Sequence, residues 1–499
     1  MKLNYKRTIY VGFAFFLITA FWQAYDAIVP LMLTNHFGLP QVASGAVMSL
    51  DNILAVFMLP VFGAISDKFA SKYGKRTPFV FFGTIAAVIA FIALTFIDNI
   101  QLAPILESNI PKLYAEADAV RDAAYELMKE ARATGNEVLV ATARQQIKLA
   151  DTMFEAVREK ALEITLNNIL PLVGFIVTLL FSLIAMATFR SPAVALMPDI
   201  TVKPLRSKGN AVINLMGTAG GIIVLVFGIL FSTSSIYMKY SWYVISVCTV
   251  MLIGLTIFVV NVKENRWAND MIEDSKKHGL VDELPNGTSE SGRHLSKAEL
   301  KSLLLILASV ALWYIGYNSI TSKYSVYASN ELGFDYNLTL IIAQAAAIVT
   351  YIPIGIISSK LGRKKTILAG VVMLAIAFCI GHFINPGIPQ AIMYPVFILA
   401  GIGWATINVN SFPMVVELAK GGDVGKYTGY YYTASMAAQI VAPILSGFLY
   451  DLLGMRTVFF IFGAVFVLAS FVTMLFVKHG DSKAELPADV LEHLGSSDD

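Results

Sequence analysis

Apolar runs as long as a lipid bilayer is thick recur along the whole chain, and they constrain its fold more than any other feature. About 20 predominantly apolar residues carry a helix across the hydrocarbon core. With 56% hydrophobic and only 14% charged residues, the chain is far more apolar than a soluble protein. The sequence therefore predicts an all-α polytopic protein of the lipid bilayer with twelve transmembrane helices. The runs lie near 8–33, 43–65, 78–97, 167–189, 210–232, 240–262, 301–320, 338–359, 366–385, 389–412, 427–449 and 456–477.

Composition and motif content exclude several other classes. The net charge is +2, and Lys and Arg are spread over loops rather than gathered into a patch, so no nucleic-acid partner is expected. Both cysteines, Cys248 and Cys379, lie inside apolar runs and indicate no disulfide framework. No nucleotide-binding loop, nucleophile–base set or metal-ligand spacing occurs. We expect no cofactor, no metal site and no enzymatic activity.

The distribution of cations predicts the orientation in the membrane. Lys and Arg cluster in 68–76, 203–208 and 360–365, whereas the connecting stretches 34–42 and 386–388 contain neither. Short loops rich in Lys and Arg remain in the cytoplasm. The pattern predicts a multi-pass protein of the cell membrane with both termini cytoplasmic.

A long polar stretch, 98–166, interrupts the predicted membrane helices. It is rich in Ala, Glu and Arg, and Gly135 followed by Asn136 breaks it in the middle. This composition predicts an extracytoplasmic helical hairpin. Three roles are open for it: a lid, a docking module for a protein partner, or an insertion that takes no part in the function of the membrane helices.

A second polar stretch divides the chain into two halves. Residues 263–300 are interpreted as a cytoplasmic linker. It separates an N-terminal six-helix bundle, 1–262, from a C-terminal one, 301–477. The acidic tail 478–499 is predicted to be disordered.

The loop after the second run has a distinctive sequence. Residues 63–79 read GAISDKFASKYGKRTPF, and a weaker copy beginning at Gly355 reads GIISSKLGRKKT. Two copies in one chain indicate an internally duplicated transporter. In the first copy Asp67 lies among cations at a helix end, where a salt bridge that forms in one conformation and breaks in another acts as a latch.

This loop resembles the signature between spans two and three of the major facilitator superfamily. The form S-D-K-x(3)-K-x-G-K-R-T-P-F is similar to the sucrose-transporter-like branch, which is related to the glycoside–pentoside–hexuronide cation symporters. The resemblance implies two six-helix bundles around a midplane cavity and symport of an oligosaccharide or glycoside, with a proton favoured over sodium. Two alternatives stay open: an exporter or carrier of another small solute, and a non-transporting receptor or scaffold that uses the hairpin.

Polar groups inside the N-terminal runs are candidates for substrate and ion binding, because a charge at the centre of a span costs roughly 2.5–3.5 kcal/mol. In the first run Trp22, Gln23 and Asp26 share one helix face. The resemblance implies that this span lines the cavity. Asp26 and Asp51 are the candidates for ion coupling, and a buried structural hydrogen bond is the alternative for each.

The fourth run ends FRSPAVALMPDI, which resembles the family's stretch with a proline and an aspartate, here Pro192 and Asp199. Plant-type members carry an arginine inside that stretch, but Val194 stands at the aligned position and Arg190 lies one turn earlier. Arg190 is interpreted either as a donor to a sugar or carboxylate, or as an interfacial gate or snorkelling residue.

The C-terminal half supplies neutral candidates. Aromatic rings stack on the C–H faces of sugars, and amides bond their hydroxyls. Tyr430 and Tyr431 are expected to be membrane-interface residues instead. The substrate-binding candidates in this half are Tyr317, Asn318, Gln344, Asn408, Asn410 and Gln439.

Carboxylates and cations at the cytoplasmic ends of the runs predict an inner gate. Asp199 and Glu417 end the fourth and tenth runs at corresponding places of the two halves. Each is expected to meet the basic loop of its own half. The predicted gate comprises Asp67, Lys75, Arg76, Asp199, Arg363 and Glu417.

Overall fold

A computed structural model describes the chain except residues 1–2, 203–205, 278–295, 386–387, 417, 419–423 and 480–499, and it leaves out the side chains of some further helical residues, Asp67 among them. In the part of the chain so described, every regular element is a helix. The α-helices are α1 (Tyr5–Leu31), α2 (Gln41–Met48), α3 (Leu50–Lys68), α4 (Thr77–Glu107), α5 (Ile110–Thr134), α6 (Glu137–Asn167), α7 (Leu170–Ile200), α8 (Arg206–Leu230), α9 (Ser241–Asn261), α10 (Glu264–Lys277), α11 (Lys297–Thr321), α12 (Tyr324–Val326), α13 (Tyr336–Leu361), α14 (Arg363–His382), α15 (Met393–Val416), α16 (Val424–Leu453) and α17 (Met455–Leu475).

The prediction of an all-α polytopic membrane protein is confirmed. Within the described residues, 11 helices are long and apolar enough to cross a membrane. The eighth predicted span corresponds to α13, whose described apolar part, Tyr336–Tyr351, falls short of the length required.

Two helices run further than the sequence suggested. The expected ends were residues 97 and 189, but α4 continues to Glu107 and α7 to Ile200. Pro192 and Pro198 lie inside α7 without ending it. Proline is tolerated in membrane helices because neighbouring groups satisfy the backbone that it leaves unpaired.

The stretch between α4 and α7 forms two long antiparallel helices, α5 and α6, which we call the hairpin. Gly135 ends α5 with φ of 65°, a left-handed conformation that suits glycine. Asn136 then begins α6, and its side chain accepts hydrogen bonds from the backbone N–H of Val138 and Leu139. The sequence Gly-Asn thus supplies the stop of one helix and the start of the next.

Small residues allow the helices within each half to pack closely. A Cβ on Gly220 of α8 would lie 2.7 Å from the carbonyl oxygen of Phe16 in α1. In the other half, Gly370 of α14 and Gly403 of α15 face each other, and a Cβ on either would lie 2.9 Å from the carbonyl oxygen of its partner. Close backbone approach of this kind is a principal source of helix association in lipid.

The two halves meet tightly at the end of the bundle that carries the hairpin, which we call the hairpin end; the opposite end, with residues 69–76, is the basic-loop end. There α2 packs on α16, and a Cβ on Gly45 would lie only 2.1 Å from the carbonyl oxygen of Pro443. The carboxylate of Asp451 accepts hydrogen bonds from the backbone N–H of Gln41 and Val42 at 2.8 and 2.7 Å. The hairpin end is therefore closed.

Corresponding π-helical turns reinforce this closure. Met32–His36 follows α1, and Tyr327–Leu332 follows α12, near the start of each half. The amides of Asn35 and Asn330, one from each turn, donate to each other at 3.3 and 2.7 Å. The internal duplication seen in the basic loops thus extends to the hairpin end.

Candidate transport cavity and basic-loop gate

In the second half of α1, from Phe16 to Leu31, one face is accessible while the other side chains are buried. Asp26 is exposed and Thr19, Trp22 and Gln23 are half-buried, whereas neighbouring side chains such as Tyr25 are fully buried. Positions 19, 22, 23 and 26 follow the i, i+3, i+4, i+7 spacing of a single helical face. This face borders an accessible space inside the bundle, which we call the cavity.

Charged groups from three helices gather on the N-terminal side of the cavity. The guanidinium carbon of Arg190 in α7 lies 5.5 Å from the ring centroid of Trp22, a cation–π distance. Asp51 of α3 is within electrostatic range of both Asp26 and Arg190. Asn52 donates to the Asp51 carboxylate at 2.7 Å. This wall therefore presents carboxylates that suit a cation and amide and guanidinium donors that suit a hydrogen-bonding solute.

A pair of amides connects the two halves across the cavity. Gln344 of α13 donates to the side-chain oxygen of Gln23 at 2.6 Å. Gly221 of α8 lies beside this pair, and a Cβ there would be 3.3 Å from the Gln344 oxygen. The structure thus brings together two candidates that are 321 positions apart in the chain.

The C-terminal wall is aromatic and neutral. The rings of Tyr317 and Trp404 are stacked, with centroids 3.6 Å apart and planes 1° from parallel. The Tyr314 hydroxyl donates to Asn408 at 3.4 Å and lies 3.4 Å from the hydroxyl of Tyr431. Rings and amides in this arrangement suit the C–H faces and hydroxyl groups of a polyol.

Three predicted residues bond to their own helices instead. Asn318, Asn410 and Gln439 each donate to the backbone carbonyl four positions earlier, at 2.8, 2.9 and 3.2 Å. Asn318 and Gln439 remain half-buried, but Asn410 is only 1% exposed. The side chain of Asn410 lies in the helix packing and does not border the cavity.

The expectation that Tyr431 is a membrane-interface residue is wrong. Its side chain is 5% exposed, and its hydroxyl lies 3.0 Å from Ser411 and in reach of Tyr314. Tyr430, its neighbour on α16, is 40% exposed. The sequence run YYY gives no indication of which ring turns inward, because that depends on how α16 packs on α11 and α15.

At the basic-loop end, Asp199 meets the two cations expected beside it. Its carboxylate lies 3.0 Å from Arg76 Nε and 3.2 Å from Lys75 Nζ. Arg76 is 4% exposed and also donates to the hydroxyl of Ser66. Ser66 in turn donates to the carbonyl of Gly63 at 2.8 Å.

The second copy of the loop repeats part of this geometry. Ser358 donates to the carbonyl of Gly355 at 3.0 Å, as Ser66 does to Gly63. Lys364 follows Arg363 at the start of α14 and donates to the carbonyls of Leu475 and Val477 at 2.9 and 2.6 Å, at the end of α17. Glu417 and the side chain of Asp67 lie outside the described residues, as does nearly all of the acidic tail.

Glu264, which the sequence did not single out, organises the first basic loop. It begins α10, inside the stretch predicted to be a linker, and is 3% exposed. Its carboxylate accepts hydrogen bonds from the backbone N–H of Lys75, Arg76 and Thr77 at 2.8–2.9 Å and from the Thr77 hydroxyl at 2.7 Å. No local pattern reveals a partner 187 positions away.

The remainder of α10 is attached to the start of α1. Arg7 forms an ion pair with Asp270 at 2.8 Å, and its guanidinium carbon lies 5.4 Å from the ring centroid of Trp267. The ion pair is partly solvated and contributes modestly. Together with Glu264, these contacts make α10 a fixed part of the basic-loop end.

The helices and the cavity define a polytopic membrane protein with a solvent-accessible interior, and comparison of sequences gives its family. The profile of the Major Facilitator Superfamily matches residues 164–350 and 336–494, and that of the MFS/sugar transport proteins matches residues 10–106. The chain belongs to the Major Facilitator Superfamily. It is a multi-pass membrane transporter and not an enzyme.

Individual relatives are distant. An uncharacterised MFS-type transporter of Methanocaldococcus jannaschii is 23% identical over 292 residues, 58% of this chain and 68% of the relative. The inward-open xylose transporter XylE of E. coli has a TM-score of 0.59 at 14% identity, covering 97% of this chain and 98% of that chain. The nucleoside transporter NupG has a TM-score of 0.55 at 12% identity, covering 95% and 100%. Identities this low show a shared fold and leave the substrate open.

Proposed function

We propose that the chain is a secondary active transporter of the sucrose-transporter-like branch, carrying an oligosaccharide or glycoside together with a proton. The observation that carries the proposal is the accessible face of α1. It presents Trp22, Gln23 and Asp26 to a cavity whose opposite wall holds the stacked pair Tyr317 and Trp404. Charge on one wall and aromatic rings on the other suit a neutral polyol that moves with a cation.

Asp26 is proposed as the coupling residue and Asp51 as its neighbour in the same electrostatic cluster. A carboxylate inside a membrane is costly unless it is functional or paired, and Asp26 faces the cavity rather than a fixed cation. A proton bound there travels with the substrate when the cavity changes sides. Sodium, which the same carboxylates suit, is the other candidate ion.

The orientation follows from the cations. We propose that the basic-loop end, with both chain termini, faces the cytoplasm and that the hairpin end faces outside. Since the halves are joined at the hairpin end, the state described is then inward-facing. Alternating access requires these outer contacts to break when the cavity opens outward.

Uptake into proteoliposomes with an imposed proton gradient tests the proposal, using a panel of labelled mono-, di- and oligosaccharides and glycosides. We expect accumulation of at least one sugar that collapses with a protonophore. Flux of a different solute or outward movement only would indicate another carrier or an exporter, and binding of a protein without any flux would indicate a receptor. Dependence on sodium at fixed pH would identify the other ion.

A further inference from the structure

We propose that the hairpin is the closing element of the outer gate: it is fixed to the N-terminal half, holds the C-terminal half through Arg121, Tyr125 and Arg158 in the state described, and must release it in every transport cycle. The inference rests on the alternating-access transport proposed above. It concerns the gate alone, so its test needs no substrate.

The base of the hairpin is fixed to the N-terminal half. Thr165 of α6 donates to the carbonyl of Phe37 at 2.9 Å and accepts from Gln101 of α4 at 2.7 Å. Gly38, with φ of 65°, lies so close to α6 that a Cβ would be 2.4 Å from the backbone nitrogen of Leu162. A backbone contact this close leaves the hairpin no room to move independently of α1 and α4.

An apolar cluster completes this attachment. Ile105 at the end of α4 packs with Ile110, Val157 and Ala161 of the hairpin, and all of them are at most 5% exposed. Tyr237, from the connection between α8 and α9, packs against the same cluster. The hairpin therefore moves with the N-terminal half as one body.

The sides of the hairpin reach the other half at separate points. Arg121 of α5 donates to the backbone carbonyl of Asn330, and its side chain is 6% exposed. Arg158 of α6 lies 3.7 Å from the carboxylate of Asp451. The guanidinium carbon of Arg456, at the start of α17, lies 4.4 Å from the ring centroid of Tyr125.

Two of these contacts fall on residues that already join the halves. Asn330 exchanges amide hydrogen bonds with Asn35, and Asp451 accepts from the first N–H groups of α2. The hairpin thus covers the gate with a second layer of contacts, which bind the same residues, Asn330 and Asp451. Separation of the halves at this end breaks both layers together.

Thiol labelling from outside measures how often this end opens. In a background with both native cysteines replaced, Ser325→Cys provides a reporter, because Ser325 is 3% exposed and lies beneath the closed end, with its hydroxyl 3.5 Å from the carbonyl of Asp26. A membrane-impermeant maleimide added outside reaches it only when the gate opens. We expect R121A and R158A each to raise the labelling rate at least fivefold.

The matched control is Lys129→Ala. Lys129 lies on the same helix as Arg121, but its side chain is 71% exposed and pairs only with Glu126 in the described structure. Labelling should stay at the parental rate in this variant. If R121A and R158A also leave labelling unchanged while the protein remains monodisperse, the hairpin has no part in the gate.

Cross-linking tests the same point from the opposite direction, by preventing release of the hairpin. A short bifunctional thiol reagent joining Tyr125→Cys to Arg456→Cys should abolish outside labelling of the reporter until the link is reduced. Linking Glu126→Cys to Lys129→Cys, whose exposed side chains pair one turn apart on α5, should have no effect. Labelling that persists with the first link in place would refute the proposal, whereas an inactive panel of sugars would count only against the proposed substrate.

Discussion

Replacing Glu264 by alanine should markedly destabilise the protein, because its carboxylate caps the first turn of α4. The first turn of α4 has no cap from its own sequence, since Arg76 at the N-cap position makes no side-chain cap hydrogen bond. The carboxylate of Glu264 takes that place from α10 and also opposes the positive end of the α4 dipole. Its loss leaves several donors of the loop without an acceptor.

The magnitude follows from how many of these donors are buried. Arg76 and Thr77 are 4% and 5% exposed, so water cannot readily replace the carboxylate at their N–H groups. A buried donor left unpaired costs about 1–3 kcal/mol, which gives about 2–6 kcal/mol for the two. Glu264→Gln keeps one acceptor oxygen and should cost roughly half as much.

Thermal and denaturant unfolding in detergent, followed by tryptophan fluorescence, measures this loss. Glu273→Ala is the control, because Glu273 lies on the same helix but is exposed, and it should change the free energy of unfolding by less than about 0.5 kcal/mol. Gly74→Ala should resemble E264A, because its Cβ would lie 2.1 Å from the Glu264 carboxylate at a backbone φ of 116°. If E264A matches E273A in stability, the carboxylate is not the cap we describe.

Three further outcomes are expected. Asp26→Asn, which mimics the protonated form, should keep sugar exchange. In the uptake assay it should lose both the pH dependence of exchange and accumulation against a gradient. If Asp51→Asn alone shows these two losses, the coupling residue is on α3. Trp404→Ala should weaken sugar binding at least tenfold in a thermal-shift titration by removing the stacked ring, and an unchanged titration would show that the aromatic wall does not contact the sugar. Gly45→Ala should hinder closure of the hairpin end and raise labelling of the Ser325→Cys reporter from outside. Gly429→Ala should not, because no atom lies within 4 Å of the added Cβ. Equal labelling in both variants would contradict the tight packing of α2 on α16.

Local periodicity was enough to predict the membrane helices and the polar face of α1. The spacing of Trp22, Gln23 and Asp26 depends only on helical geometry, which any long apolar helix shares. The Gly135 break likewise located the turn of the hairpin, because a left-handed residue followed by a capping Asn is encoded by neighbours in sequence. Both features are fixed within a few residues of chain.

Features that depend on contacts between distant parts of the chain could not be predicted from local sequence patterns. From the sequence alone Asn410 is as good a candidate as Asn408. A rotation of about 200° around the helix separates the two side chains, and only the packing of α15 decides which one faces the cavity. Tyr431 and Tyr430 pose the same problem on α16. The role of Glu264 could not be predicted for a different reason: the stretch around it has the composition of an ordinary charged linker.

Two helices, α2 and α4, are capped by carboxylates from distant parts of the chain, and the two caps have different roles. Neither α2 nor α4 has a side-chain cap from its own sequence, and Asp451 and Glu264 supply the acceptors. Glu264 lies on α10, which the Arg7–Asp270 ion pair attaches to the N-terminal half that contains α4, and it is 3% exposed, so its bonds can persist while the halves move. Asp451 belongs to the half opposite α2, and its bonds must break when the hairpin end opens.

Breaking the hydrogen bonds between Asp451 and the first turn of α2 costs little free energy. The first N–H groups of a helix have no partner inside the helix, so water can satisfy them once the end is hydrated, and the cost of separation is the difference between a carboxylate and water as acceptor. A cap across the halves therefore stabilises the closed state without leaving buried donors unpaired in the open one. Asp451 can hold a gate that must open repeatedly, whereas Glu264 holds a loop that need not.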